Sequence, residues 1–229
     1  MKILFIHGSG GMKENWYYQT QYFKDSEAID LPGHPEGTPC SSIEGYVEWL
    51  RGYIDSKGYK DLVLVGHSLG GGVVQLYALR YPENLKAIVL LGTGGRLRVF
   101  PQTLDELEEA LEDRQAWIDT LELGFADLDP ELRESFRQKK IAIGPAVQLN
   151  DLLACDKFDI MDKVSEIKMP TLVLVGTEDE MTPVKYSQFL AQKLPCSTLT
   201  IIEDGTHHMP REIPDKVNKA LEDFFNTLK

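Results

Sequence analysis

Leu62-Val63-Leu64-Val65-Gly66-His67-Ser68-Leu69-Gly70-Gly71 is the stretch on which the reading of this chain turns. Four apolar residues without polar alternation read as a buried parallel strand, and the run from Gly71 to Tyr81 reads as a helix. Between them a serine is flanked by Gly66 and Gly70. Small neighbours relieve the crowding of a sharp strand-to-helix turn, which pushes the Ser68 hydroxyl out of the sheet. The following helix start sets free N–H groups and a positive dipole end beside that hydroxyl, where negative charge would develop. Ser68 is therefore the candidate nucleophile.

Outward from this turn, five further apolar runs read as strands: Lys2–Ile6, Ala28–Leu31, Ala87–Leu91, Leu172–Val175 and Thr198–Ile202. Helical patterns lie between them, around Ile43–Lys57, Val184–Leu194 and Pro214–Leu228. Strand alternating with helix predicts a doubly wound, mostly parallel α/β sheet of about six strands. Leu-Val-Leu-Val-Gly recurs at 172–176, but its flanks do not repeat, so the match reflects shared strand composition. From Gly92 to about Met169 the alternation stops and only helical segments appear. Thr103 with Glu106 has the form of a capping box, with Leu104, Leu107, Leu111, Ile118 and Leu121 on one side. Asp129-Pro130 reads as a second helix start, and Pro145–Leu153 as a third helical stretch. The expectation is one domain over 1–229, with a helical cap inserted at about 96–160.

A chain of 229 residues with 42% hydrophobic content suits one such domain. Its net charge of −12 argues against nucleic acid as a partner, since phosphate backbones need clustered Lys and Arg. Between Leu104 and Glu134, 12 acidic residues face only Arg114 and Arg133, so this stretch carries −10 of the total. It reads as a solvated helix face that discourages anionic substrates. No run approaches a membrane span, and the start of the chain offers no apolar segment of signal-peptide length. Cys40, Cys155 and Cys196 lack pairing or metal-like spacing, which suits a reducing interior; a cytoplasmic protein with no membrane partner is expected. Five scattered histidines and the absence of a Lys-bearing phosphate loop predict no metal and no cofactor. No pattern assigns an oligomeric state.

A serine nucleophile needs a base, and the base needs a carboxylate. Asp179, in Gly176-Thr177-Glu178-Asp179-Glu180-Met181-Thr182-Pro183, follows directly on the strand 172–175, where ligands of α/β sheets gather. A histidine comes after the last strand, in Gly205-Thr206-His207-His208-Met209-Pro210, completing the order Ser, acid, His.

With these motifs in place, the chain resembles the α/β-hydrolase superfamily over essentially its whole length, in particular small esterase-like serine hydrolases with a helical cap. The resemblance rests on His7-Gly8-Ser9-Gly10-Gly11 with Trp16 beyond it, the turn around Ser68, the Asp179 loop and the histidine pair. It implies a catalytic triad of Ser68, Asp179 and a histidine. Alignment on Gly205-Thr206-x-His-Met favours His208 as the base, with His207 as the alternative from alignment on Glu212 and Pro214. It also implies an oxyanion hole made by the backbone N–H groups of Ser9 and Leu69. The family commonly begins with two further strands, so the sheet should lack the first two. Ser68 stands where the related dehalogenases carry a carboxylate.

Trp16, Phe100, Met181 and Met209 lie near these motifs and could wall an acyl pocket, while Arg96 and Arg98 read as surface residues or a grip for a substrate carboxylate. The expected partner is a small-molecule ester, and the expected activity that of a carboxylesterase for neutral acyl esters. A same-fold lyase, a cofactor-free peroxidase and a non-catalytic ligand-binding protein are the alternatives.

Overall fold

The computed structural model describes residues 1–228 apart from 122–124, 126–127 and 129. Its elements follow the alternation: β1 (Lys2–Ile6), α1 (Tyr17–Tyr22), β2 (Ser26–Ile29), α2 (Ile43–Lys57), β3 (Leu62–His67), α3 (Leu69–Arg80) and β4 (Leu85–Leu91). Three helices come next: α4 (Pro101–Glu112), α5 (Arg114–Thr120) and α6 (Pro130–Lys157). The chain then returns to β5 (Thr171–Gly176), α7 (Val184–Lys193), β6 (Ser197–Ile202), α8 (Met209–Glu212) and α9 (Pro214–Thr227).

All six strands are parallel, in the order β2-β1-β3-β4-β5-β6. The period of two explains why the central strands β1, β3, β4 and β5 are apolar on both faces, while the edge strands β2 and β6 carry polar residues. Leu4, Ile6, Leu62, Leu64, Ile88 and Leu90 face a core completed by Tyr46 and Leu50 of α2 and Val73 and Tyr77 of α3. Their neighbours Phe5, Val63, Val65, Val89 and Leu91 face the other side, against Trp16 and against Leu221 and Phe225 of α9. Helix α3 runs along the middle of the fold and is buried on every side from Leu69 to Ala78. Among the described residues no helix is long and apolar enough to cross a membrane.

Strand order reverses at β1, which has β2 on one side and β3 on the other. Ligands of open α/β sheets bind beyond the carboxyl ends of the strands at such a switch point. The loop after β1 and the turn after β3 both end there, and the Gly8 backbone lies so close that a Cβ on it would sit 3.0 Å from Ser68 Cβ.

The 92–169 region departs from its reading in three places. Helix α4 starts at Pro101, two residues ahead of Thr103, and no side chain caps it. Pro suits the first helical position, and it takes the start away from the Thr103-Glu106 pair. The apolar side from Leu104 to Leu121 is broken at Asp113, whose Oδ1 accepts the Ala116 N–H at 3.0 Å and opens α5. Of the residues read on that side, Leu107 is buried, Leu104, Ile118 and Leu121 are half-buried and Leu111 turns outward, while Ala110 and Trp117, not read there, are buried. The second and third helical stretches form the single α6, interrupted by non-helical Gly144 (φ 78°, ψ 169°) just before Pro145. Asp129, read as part of that helix start, lies outside the described residues.

Candidate active site

Ser68 has φ 53° and ψ −117°, a conformation that L-residues avoid unless their surroundings impose it. Several hydrogen bonds impose it here. The Ser68 N–H donates to Leu91 O at 3.0 Å, and its carbonyl accepts from Gly71 N (2.9 Å), Gly72 N (3.2 Å) and Thr93 Oγ1 (2.9 Å). The two flanking glycines are sterically required. A Cβ on Gly66 would lie 2.3 Å from Gly70 O, and one on Gly70 would lie 2.5 Å from Ile6 O. The turn therefore closes only with hydrogen at both positions.

Asp179 follows β5 and is almost wholly buried. Its carboxylate accepts from Thr182 N (2.7 Å) and Thr182 Oγ1 (2.9 Å), and it meets His207 Nδ1 at 3.0 and 2.9 Å. Burial pushes its pKa up, but the bonds and charge of His207 and the two Thr182 donors outweigh burial and hold it below the usual carboxylate range. This geometry orients His207, with Nδ1–H toward the carboxylate and Nε2 left as the basic atom.

The expectation of His208 in that position is corrected. No hydrogen bond to the His208 ring forms among the described residues, whereas His207 carries the full contact with Asp179. His208 is exposed to solvent, and among the described residues no carboxylate hydrogen-bonds its ring to orient it as a base. The physical reason lies in the turn: the His208 N–H donates to Thr206 Oγ1 at 3.0 Å, and α8 starts immediately after, so only the earlier ring faces β5.

His67 supports His207 from the other side. Its Nε2 donates to the His207 carbonyl at 2.9 Å and the two rings lie 4.5 Å apart, centre to centre. Burial, then repulsion by His207 and His208, keep its pKa well below the usual imidazole value. A neutral His67 thus braces the backbone of the Asp179-paired histidine without competing for its proton.

The loop after β1 is built around the Gly8–Ser9 peptide. His7 Nε2 accepts from Leu31 N at 3.0 Å, so Nδ1 carries the proton and donates to Gly8 O at 2.8 Å. Burial drives the His7 pKa to about 3 and keeps this tautomer neutral. Gly11 N donates to the same carbonyl at 3.0 Å. A peptide is planar, so fixing the Gly8 C=O also aims the Ser9 N–H. Neither the Ser9 N–H nor the Leu69 N–H has an acceptor among the described residues.

Ser68, Ser9, His207 and His208 line a cavity of about 760 Å³ under α4, α5 and α6. A second space of about 230 Å³ is lined by Ser68 but by neither His207 nor His208, and is walled by Leu97, Val99, Phe100 and Met181. Of the four residues expected to wall a pocket, Phe100 and Met181 therefore do. Trp16 and Met209 do not: both are core residues, Trp16 packed on Phe5 at 4.8 Å between ring centres. Arg96 faces Asp159 at 3.8 Å, and Arg98 donates to Asp156 O at 2.6 Å, so both are engaged by the protein. Among the described residues no group of His, Cys, Asp or Glu is arranged to hold a metal ion.

Thr182, His67 and Thr93 escaped the sequence reading. Thr182 had a local signal, since an Asp followed three residues later by Thr can close a side-chain-to-backbone turn. The contacts of His67 and Thr93 depend on distant strands and left none.

A parallel six-stranded sheet with a serine on the turn after β3, an acid after β5 and a histidine after β6 defines a class. The chain belongs to the α/β-hydrolase fold family, whose family model matches residues 2–210. It is similar to a thermophilic esterase of known structure, with 33% identity over 99% of this chain and 90% of that one and a TM-score of 0.80. The (E)-2-((N-methylformamido)methylene)succinate hydrolase of Acinetobacter baylyi is 26% identical over 98% of this chain and 90% of its own length. Protein ABHD8 of Mus musculus is also 26% identical, but the chain spans only 54% of its length.

Proposed function

We propose that this chain is a serine hydrolase that cleaves carboxylic esters through an acyl-enzyme. The observation that carries the reading is the buried Asp179–His207 pair, which shares a cavity with a serine held in a strained turn. His207 Nε2 takes the Ser68 proton as Oγ attacks the ester carbon. Negative charge on the carbonyl oxygen is received by the Ser9 and Leu69 N–H groups. His207 then returns the proton to the alcohol oxygen as the C–O bond breaks. Water repeats the sequence on the acyl-serine and releases the acid.

The leaving oxygen must lie near His207, so the alcohol portion occupies the larger cavity that this histidine lines. The acyl chain points away from both the histidine and the oxyanion donors, into the 230 Å³ space. At ~30 Å³ per water-sized group, that space holds on the order of eight such groups, which suits short or medium acyl chains. Three carboxylates, Glu106, Glu109 and Asp113, line the larger cavity against two cations, Lys140 and Arg211, and this acidic excess disfavours an anionic alcohol portion. The substrates are therefore neutral esters.

Replacing each histidine tests the assignment. His207→Ala should lower kcat for p-nitrophenyl acetate at least ~1000-fold, whereas His208→Ala should retain most turnover. The opposite ranking would move the base to His208.

A further inference from the structure

A cluster of buried polar groups that the chemistry above leaves unused lies on the far side of the oxyanion loop. Asp151 of α6, His34 and Tyr46 are fully or almost fully hidden from solvent. Asp151 Oδ1 accepts from Tyr46 Oη at 2.6 Å. Its Oδ2 meets His34 Nε2 at 2.9 Å and accepts the Gly10 N–H at 2.8 Å. The other nitrogen of His34 faces the carbonyls of Leu31 and Pro32, both at 3.2 Å, so the ring has acceptors on both sides. A buried polar cluster of this kind stabilises a fold little, because desolvation offsets the attraction. What it supplies is a carboxylate oxygen fixed in position.

That oxygen holds the peptide next to the proposed oxyanion donor. Ser9 is flanked by two peptide planes: His7 and Gly11 fix the one before it, and Asp151 fixes the one after it. Two more contacts come from the same helix, Lys140 Nζ to Gly10 O at 2.7 Å and Ser9 Oγ to Gln148 O at 3.2 Å. Gly10 itself admits this close approach. Its φ is +55°, and a Cβ there would lie 2.7 Å from Lys140 Nζ and 2.8 Å from Gln148 Cβ.

We propose that Asp151 is a positioning residue for the ester hydrolysis inferred above: through the Gly10 N–H it holds Ser9 in the conformation that receives the oxyanion, so that α6 completes the oxyanion hole from the cap. The inference rests on that reading of the site, and it gives Asp151, which lines neither cavity, a part in transition-state binding without contact to substrate.

The test compares Asp151→Ala and Asp151→Asn with Asn150→Ala in kcat, KM and affinity for a phenylboronic acid, which forms a tetrahedral adduct on the serine. Asn150 ties the same turn of α6 to Cys40 O at 2.8 Å and does not touch the oxyanion loop, so it controls for loosened docking alone. Asp151→Ala should lower kcat at least ~10-fold with KM changed less than about threefold, and boronate affinity should fall in parallel. Asp151→Asn, which keeps one acceptor oxygen and the side-chain shape, should recover part of the loss, and it decides the matter if the alanine variant does not fold. Asn150→Ala should change kcat and boronate affinity less than about threefold. Wild-type kcat in a folded Asp151 variant, or an equal loss in Asn150→Ala, would overturn the proposal. A wild-type protein that neither hydrolyses esters nor binds the boronate would instead overturn the underlying reading of the site.

Discussion

At the scale of single residues, Lys140 shows what it costs to hold the loop after β1 from α6. Its Nζ donates to Gly10 O at 2.7 Å and to Gln148 Oε1 at 2.8 Å. Burial, with Arg211 adding to it and Asp151 opposing it, lowers its pKa to about 8. Between about 8 and the ordinary 10.5, the unfolded chain therefore binds a proton at this residue that the folded protein has released. Stability rises with pH wherever the unfolded state binds more protons, so Lys140 contributes a stability increase across this window. Lys140→Met should remove that increase. Urea unfolding of both proteins at pH 8 and pH 10.5 measures it: the wild type should gain more than the variant, and identical gains would show that Lys140 is not depressed. The histidine pair shows the limit of sequence reading at this scale. His207 and His208 are adjacent, with the same neighbours and the same loop, and the choice depends on which ring the turn into α8 aims at β5. No spacing rule encodes that direction. Asp151 left even less trace, since its partners Gly10, His34 and Tyr46 lie 141, 117 and 105 residues away along the chain.

At the scale of elements, the side space proposed to receive the acyl chain is made by the loop leading from β4 into α4, together with Met181 and the last part of α6. Val99 lies half-buried on that loop, its N–H donating to Asp156 Oδ1 at 3.1 Å. Val99→Trp should narrow the space. One methylene in an apolar pocket changes selectivity ~10–200-fold, so kcat/KM for octanoyl esters should fall at least ~10-fold more than for acetyl esters. Equal losses across the acyl series would contradict the assignment of this space. The four central strands β1, β3, β4 and β5 were legible because they are largely buried on both faces and therefore mostly apolar without alternation, whereas the edge strands β2 and β6 are half-exposed and start on polar residues ahead of the apolar runs read for them; β1 and α2 have the bounds read from their patterns. The cap helices were less so. Their phase is set by Pro101, the Asp113 cap and the Gly144 break, and these local signals compete with a long amphipathic pattern that, read by itself, suggests one continuous side.

At the scale of the whole molecule, the strand order brings together segments that are far apart in sequence. The loop after β1, the turn after β3, the acid after β5 and the histidines after β6 converge at the carboxyl edge of one parallel sheet, under helices inserted between β4 and β5. The six strands of the sheet agree with the six apolar runs counted along the chain. That agreement follows from topology, since each parallel pair needs a crossover and each crossover in this chain is long enough to be counted from its apolar runs. On the proposed function, this convergence activates the Ser68 hydroxyl. The most direct measurement is intact mass and peptide mapping after exposure to a fluorophosphonate, on the wild type and on Ser68→Ala. One adduct per chain, located at Ser68 and absent from the variant, is the predicted result; a folded wild type that stays unlabelled, or labelling that persists in Ser68→Ala, would contradict it.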